Sequence, residues 1–101
     1  MTSTEDLIII TDLYQKEEIS LHPNIGFDLG LMNSKYRMKI FPNTVVEAFN
    51  KGTEGFIEGT VVLDNKCKDK IIKISHLFWK KIGKPKKARI FIENDKMLLA
   101  F

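Results

Sequence analysis

Cysteine occurs only once in this chain, at Cys67. No intramolecular disulfide can form, and no second thiol is present to begin a zinc site. The two histidines, His22 and His76, lack the spacing of a helical ligand pair, so no metal or other cofactor is expected. Long apolar runs are missing too: runs such as Leu7 to Ile10 are far too short to cross a bilayer as a helix. The polar, acidic start from Met1 to Asp6 does not resemble a secretory leader with a basic n-region, and a cytoplasmic protein is expected. There is no glycine-rich phosphate loop, nucleophile elbow or helical His-Glu pair, so the reading is of a non-enzyme. Arginine is nearly absent, with only Arg37 and Arg89.

What is present is an ordinary globular composition, 44% hydrophobic and 29% charged over 101 residues, enough for one domain with one modest core. The net charge of +3 conceals an asymmetry. Residues 1–50 hold four basic side chains against seven acidic ones, a net of −3, whereas residues 51–101 hold twelve against six, a net of +6. A basic half suits an anionic partner, of which nucleic acid is the commonest.

Sliding the chain against itself by 52 residues aligns 7–49 with 59–101 without a gap and gives eight identities in 43 positions. Asp12 falls on Asp64, Lys16 on Lys68, Ile19 on Ile71, Lys35 on Lys87, Arg37 on Arg89, Ile40 on Ile92, Ala48 on Ala100 and Phe49 on Phe101. Phe27 lies opposite Trp79, and the matched aromatics read as core. Residues 50–58, with Gly52 and Gly55, read as the connector.

In both halves an alternating segment, residues 35–40 and 87–92, predicts a strand with Arg37 and Arg89 facing outward. Phe41 and Phe91 share that outer parity. Turn signals follow at Pro42-Asn43 and Asn94-Asp95, then apolar segments 45–49 and 97–101, so each half is expected to end in a hairpin. Upstream, 7–13 and 19–21, and likewise 59–63 and 70–74, read as strands. Ser75 suits a helix N-cap, with Leu77, Phe78 and Ile82 at helical spacing, Lys80, Lys81 and Lys84 toward solvent, and Gly83 then Pro85 ending the helix. Pro23 suits the first turn of its counterpart over 23–31. Asp12 and Asp64 fit turn capping, and Cys67, set among lysines, reads as an exposed thiol. Two such units bury their apolar faces together and pair each other's edges. The expected fold is mostly β with one or two short helices: a pseudo-two-fold β-barrel from two ββαββ-like halves.

The segment 59–101, GTVVLDNKCKDKIIKISHLFWKKIGKPKKARIFIENDKMLLAF, resembles the AbrB/MazE/MraZ swapped-hairpin unit: strand, turn, strand, short helix, hairpin. This chain has Lys66-Cys67-Lys68 where the family has Gly-Arg, and Ile74-Ser75 where it has Ile-Pro. The resemblance implies a barrel of two units and a DNA-binding regulator or antitoxin. Double-psi barrels share a related two-fold plan and serve as adaptors and substrate-binding domains.

These readings converge on a small DNA-binding regulator, a monomeric pseudo-dimer or a homodimer. Phosphates of duplex DNA would be met by Lys66, Lys68, Lys70 and Lys73 around one turn, and by Lys80, Lys81, Lys84 and Arg89 around the helix; Lys86 and Lys87 lie in the same stretch. Lysine neutralises phosphates without reading bases bidentately, so backbone-dominated contact is expected. The acidic first half, including the loop from Tyr14 to Glu18, supports an alternative: a protein-interaction module, antitoxin-like, inhibitor or adaptor.

Overall fold

The computed structural model describes residues 2–12, 18–43, 46–52 and 55–101. Its elements in chain order are β1 (Thr2–Ser3), β2 (Leu7–Asp12), β3 (Glu18–Leu21), α1 (Pro23–Asp28), β4 (Lys35–Pro42), α2 (Val46–Lys51), β5 (Ile57–Leu63), β6 (Ile71–Ser75), α3 (His76–Lys81), β7 (Lys87–Glu93) and β8 (Lys96–Ala100). The strands pair in the order β7-β2-β6-β3-β5-β4-β8, and β8 returns to β7, closing a seven-stranded barrel; β1 extends the line of β2 along β7. Among the described residues no helix is long and apolar enough to cross a membrane.

Alternation builds the wall. Met38 and Ile40 on β4, Ala88, Ile90 and Ile92 on β7, Ile72 and Ile74 on β6, and Met97 and Leu99 on β8 point inward and are buried. All but Ala88 form one core with Leu7, Ile19, Leu21 and Val61. Helix α1 closes one end through Ile25, and α3 closes the other through Phe78, which is fully buried. Gly26 lets α1 approach closely, since a Cβ there would lie 2.5 Å from the Leu63 side chain.

The two segments pair across each other. β2 runs parallel to β6 with Ile8 beside Ile71, and β3 runs parallel to β5 with Glu18 beside Thr60. These registers interconvert if β2 maps to β5 with a shift of 52 and β3 to β6 with a shift of 53. The helices follow the larger shift: His22 and Ser75 are both N-caps, and Gly30 and Gly83 both take left-handed conformations, φ +83° and +95°. By register Ala88 beside Leu7 answers to Met38 beside Gly59, a shift of 50 for β4 and β7, so the gapless alignment does not hold through the middle of the repeat. Ile71 therefore faces outward where Ile19 faces inward. Phe27 is exposed while Trp79 is half-buried, and Phe101 is exposed while Phe49 is fully buried, so these pairs are not matched core.

The expected first hairpin is corrected outright. Residues 46–51 form helix α2, not a strand, and Val45 lies outside the described residues. The reason is topological: β4 already has β5 on one side and β8 on the other, leaving no edge for a partner of its own. The second hairpin, β7–β8, forms as expected. Helix α2 instead lies on the outer surface, where Phe49 joins Phe41 and Leu98 in a small second core against Phe56 and Phe91. Phe41 and Phe49 meet edge to face at 5.3 Å. Phe41 is thus covered, not presented to a partner.

Two lysines hold α2 in place. Lys96 Nζ donates to the carbonyls of Phe49 (2.9 Å) and Asn50 (3.1 Å), and Lys39 Nζ donates to the Gly52 carbonyl (3.3 Å). They are direct neighbours on β4 and β8, so two cations meet the carbonyl end of one helix, where the backbone dipole favours positive charge. Lys96→Met is expected to lower unfolding free energy by about 2 kcal/mol, since a half-buried charged donor is removed from two acceptors. Urea denaturation checks this.

Candidate nucleic-acid interface

The predicted basic residues form two groups: Lys66, Lys68 and Lys70 stand before β6 and Lys80, Lys81 and Lys84 beyond its far end, about 16 Å apart along five residues of strand. Lys86 and Lys87 return beside β2, Lys87 reaching Ile8 next to Ile71. The first group stands on the β5–β6 turn. Asp64 Oδ1 accepts from Lys66 N (2.9 Å) and the Asp64 carbonyl from Cys67 N (3.0 Å), forming the expected Asx-type turn. Cys67 is then folded inward. Its thiol donates toward the carbonyls of Ser20 (3.7 Å) and Ile71 (3.6 Å) and is buried, against the expectation of an exposed thiol. Lys66 and Lys68 are thrown outward by this anchor. Lys70, expected in a strand, is a left-handed turn residue at φ +66°. It lines a cleft of about 370 Å³ with Glu5, Asp28 and Asp69, whose three carboxylates oppose a phosphate there.

The second group stands on α3 and its exit. Ser75 Oγ accepts from Phe78 N at 3.2 Å, starting the helix as expected. After Gly83, Lys84 also adopts a left-handed conformation, φ +58°, and its N–H reaches the Trp79 carbonyl at 2.9 Å. Trp79 in turn donates from Nε1 to the Pro85 carbonyl at 2.9 Å, and its ring lies 5.5 Å from that of His76. The Lys86 carbonyl accepts from Ile9 N at 2.9 Å, tying the exit to the barrel wall. Trp79 therefore braces this segment. Lys80, Lys81, Lys84, Lys86 and Lys87 are all exposed around it. Leu77, expected inside, is 53% exposed.

Two predicted residues lie on the wall and are already engaged. Lys73 Nζ is 3.6 Å from Asp12 Oδ2, and Arg89 Nε is 3.2 Å from Asp6 Oδ1. Arg37 has the corresponding partner, Glu58, at 3.9 Å. Arg89 with Asp6 and Arg37 with Glu58 are related by the same shift of 52. Both arginines thus face carboxylates.

One sequence signal was missed. Residues 70–92 hold eight Lys and Arg side chains and not one Asp or Glu. The β5–β6 turn, by contrast, mixes Lys66 and Lys68 with Asp64 and Asp69. Along the chain, then, Lys80, Lys81 and Lys84 have no acidic neighbour, and Asp12 stands beside Ser75 at the start of α3. Among the described residues no group of three or more His, Cys, Asp or Glu side chains could hold a metal ion.

Burial pushes the Cys67 thiol above the ordinary value of 9.0, opposed in part by Lys73. A group raised in this way favours the folded state while protonated. The stability that Cys67 adds is present below about pH 9 and is lost as pH rises beyond it. The stability gap between wild type and Cys67→Ala is expected to shrink above pH 9 in urea titrations, and native-state labelling by a thiol reagent is expected to be slow until unfolding.

No family model, curated protein or solved structure matches this chain, so the functional reading is built on the surface just described.

Proposed function

We propose that the chain is a small DNA-binding regulator that meets the phosphates of duplex DNA through the α3 end of the barrel. The observation that carries the reading is the acid-free stretch 70–92, five of whose lysines stand on a braced helix and its exit. Lys80, Lys81, Lys84, Lys86 and Lys87 are the main contacts. Lys66, Lys68 and Lys70 contribute less, because Asp64, Asp69 and the neighbouring cleft carboxylates oppose them. Lys73 and Arg89 would have to exchange Asp12 and Asp6 for phosphate.

The reading is one of backbone contact rather than base readout. Helix α3 has six residues, about 9 Å of helix, too short to fill a major groove with reading side chains. Both arginines, the best bidentate readers of guanine, face carboxylates. The resemblance of residues 59–101 to swapped-hairpin regulators supports the same conclusion. A protein-interaction module is the second reading, favoured by exposed Phe27 and Met32 around α1. Nuclease-treated pull-downs separate the two.

Titration of a labelled duplex is expected to give a log–log salt slope of about −4, a loss of two to three powers of ten between about 50 and 200 mM salt. The triple change Lys80→Gln, Lys84→Gln and Lys86→Gln is expected to reduce that slope by about 3, and Lys66→Gln with Lys68→Gln by less. Lys84→Gly separates binding from folding. Glycine takes φ +58° without the lysine's penalty, so folding is expected to gain up to about 1 kcal/mol while DNA affinity falls. Absence of binding at low salt, or a slope indifferent to these lysines, would overturn the reading.

A further inference from the structure

We propose that the outer wall of β6, β2 and β7 docks an acidic amphipathic segment of a partner protein, a function beyond the DNA contact at the α3 end. The wall presents side chains in rows fixed by register. Ile8 stands between Ile71 on β6 and Lys87 on β7, and Ile10 stands beside Lys73. Ile8 is 52% exposed and Ile10 40%, while Ile71 is half-buried. Two ion pairs frame this apolar strip, Asp6 with Arg89 and Asp12 with Lys73. Its origin is the run Leu7–Ile10. Leu7 and Ile9 fill the barrel, so Ile8 and Ile10 must face the other way.

The fold itself does not require isoleucine here. The corresponding row on the other parallel pair is Glu18, Thr60 and Arg37, polar throughout, in the same kind of wall. Barrel closure is thus compatible with a polar row, and the isoleucines are an addition specific to β2 and β6. Exposed β-branched side chains in adjacent rows are what an apolar partner face packs against.

The charge around the strip selects the occupant. Lys87 is exposed within it, Lys70 and Lys86 adjoin it along the chain, and Asp6 and Asp12 are held by Arg89 and Lys73. Two copies of this face would set cation against cation, which disfavours self-association and suits Asp and Glu on the partner. β2 already has neighbours on both sides, so no strand can add to it; the partner must pack side chains, as an amphipathic helix does. Exposed Leu77 on α3, which packs against β6 and β2, extends the strip at one end.

The test uses the whole chain and two synthetic helical peptides of about 18 residues, with the same Leu and Ile stripe flanked by Glu in one and by Lys in the other. The Glu peptide is expected to bind and to shift the methyl resonances of Ile8, Ile10 and Ile71. The double variant Ile8→Thr with Ile10→Thr keeps β-branched residues, and its fold is checked by circular dichroism. It is expected to weaken that peptide about tenfold, and Lys87→Glu to move preference toward the Lys peptide. Equal binding of both peptides, shifts confined to Phe27 and Met32, or unchanged affinity in the double variant would overturn the proposal. So would binding to anionic phospholipid vesicles with neither peptide bound, or a dimer in sedimentation that the double variant abolishes. The double variant is expected to bind duplex DNA as the wild type does, so failure here and failure of the DNA reading are told apart.

Discussion

The rest of this structure depends on one constraint: the barrel wall closes, and a strand in a closed wall has two neighbours and no more. Closure is achieved by crossing. β2 takes β6 as a parallel partner, β3 takes β5, and β8 closes the gap between β7 and β4. Parallel neighbours cannot be joined by a tight turn. Consecutive strands instead run antiparallel with a crossing strand between them, so α1 joins β3 to β4 over β5 at one end of the barrel and α3 joins β6 to β7 over β2 at the other. The ends of the barrel are plugged by the same segments that make the connections, with Ile25 and Phe78 as the plugs.

Closure also explains where the two segments stop resembling each other. Segment 87–100 forms a hairpin because β7 has a side open for β8, whereas β4 has none after pairing with β5 and β8. The stretch after β4 is left without a ladder, and a helix satisfies its own backbone groups. Its remaining need is at the carbonyl end, which Lys39 and Lys96 meet from the wall beneath. Phe49 then finds its burial against Phe41 and Leu98 outside the barrel instead of within it. Phe101, at the matching place in the sequence, has no such cover.

The features legible in the sequence were those governed by neighbours a few residues away. The strand parity of 35–40 and 87–92, the Ser75 cap, the left-handed Gly83 and the β7–β8 hairpin all follow from local rules, and the structure has each of them. The change of register between the segments was not legible, because identities at Ile19 and Ile71 suggested a match that the pleat contradicts. Nor was the burial of Cys67, which is decided by Ser20, 47 residues away. Of the candidate site, the lysines of α3 were found by composition. That Lys73 and Arg89 already face Asp12 and Asp6 depends on strand pairings that no local pattern announces.

Electrostatics distributes work over this barrel unevenly, and the distribution follows from the connections. The β5–β6 turn anchors itself with Asp64 and Asp69, so acids accompany its lysines by necessity of turn geometry. The α3 connection uses a hydroxyl cap, a tryptophan brace and a left-handed exit, none of which needs a carboxylate. It can therefore carry lysine after lysine with no acid between them. The turn places acids of its own beside the positive charge it displays, while the α3 connection has none within its own segment. The scaffold of the α3 connection is built from neutral groups, and that is the basis on which an anion-binding role is proposed for it.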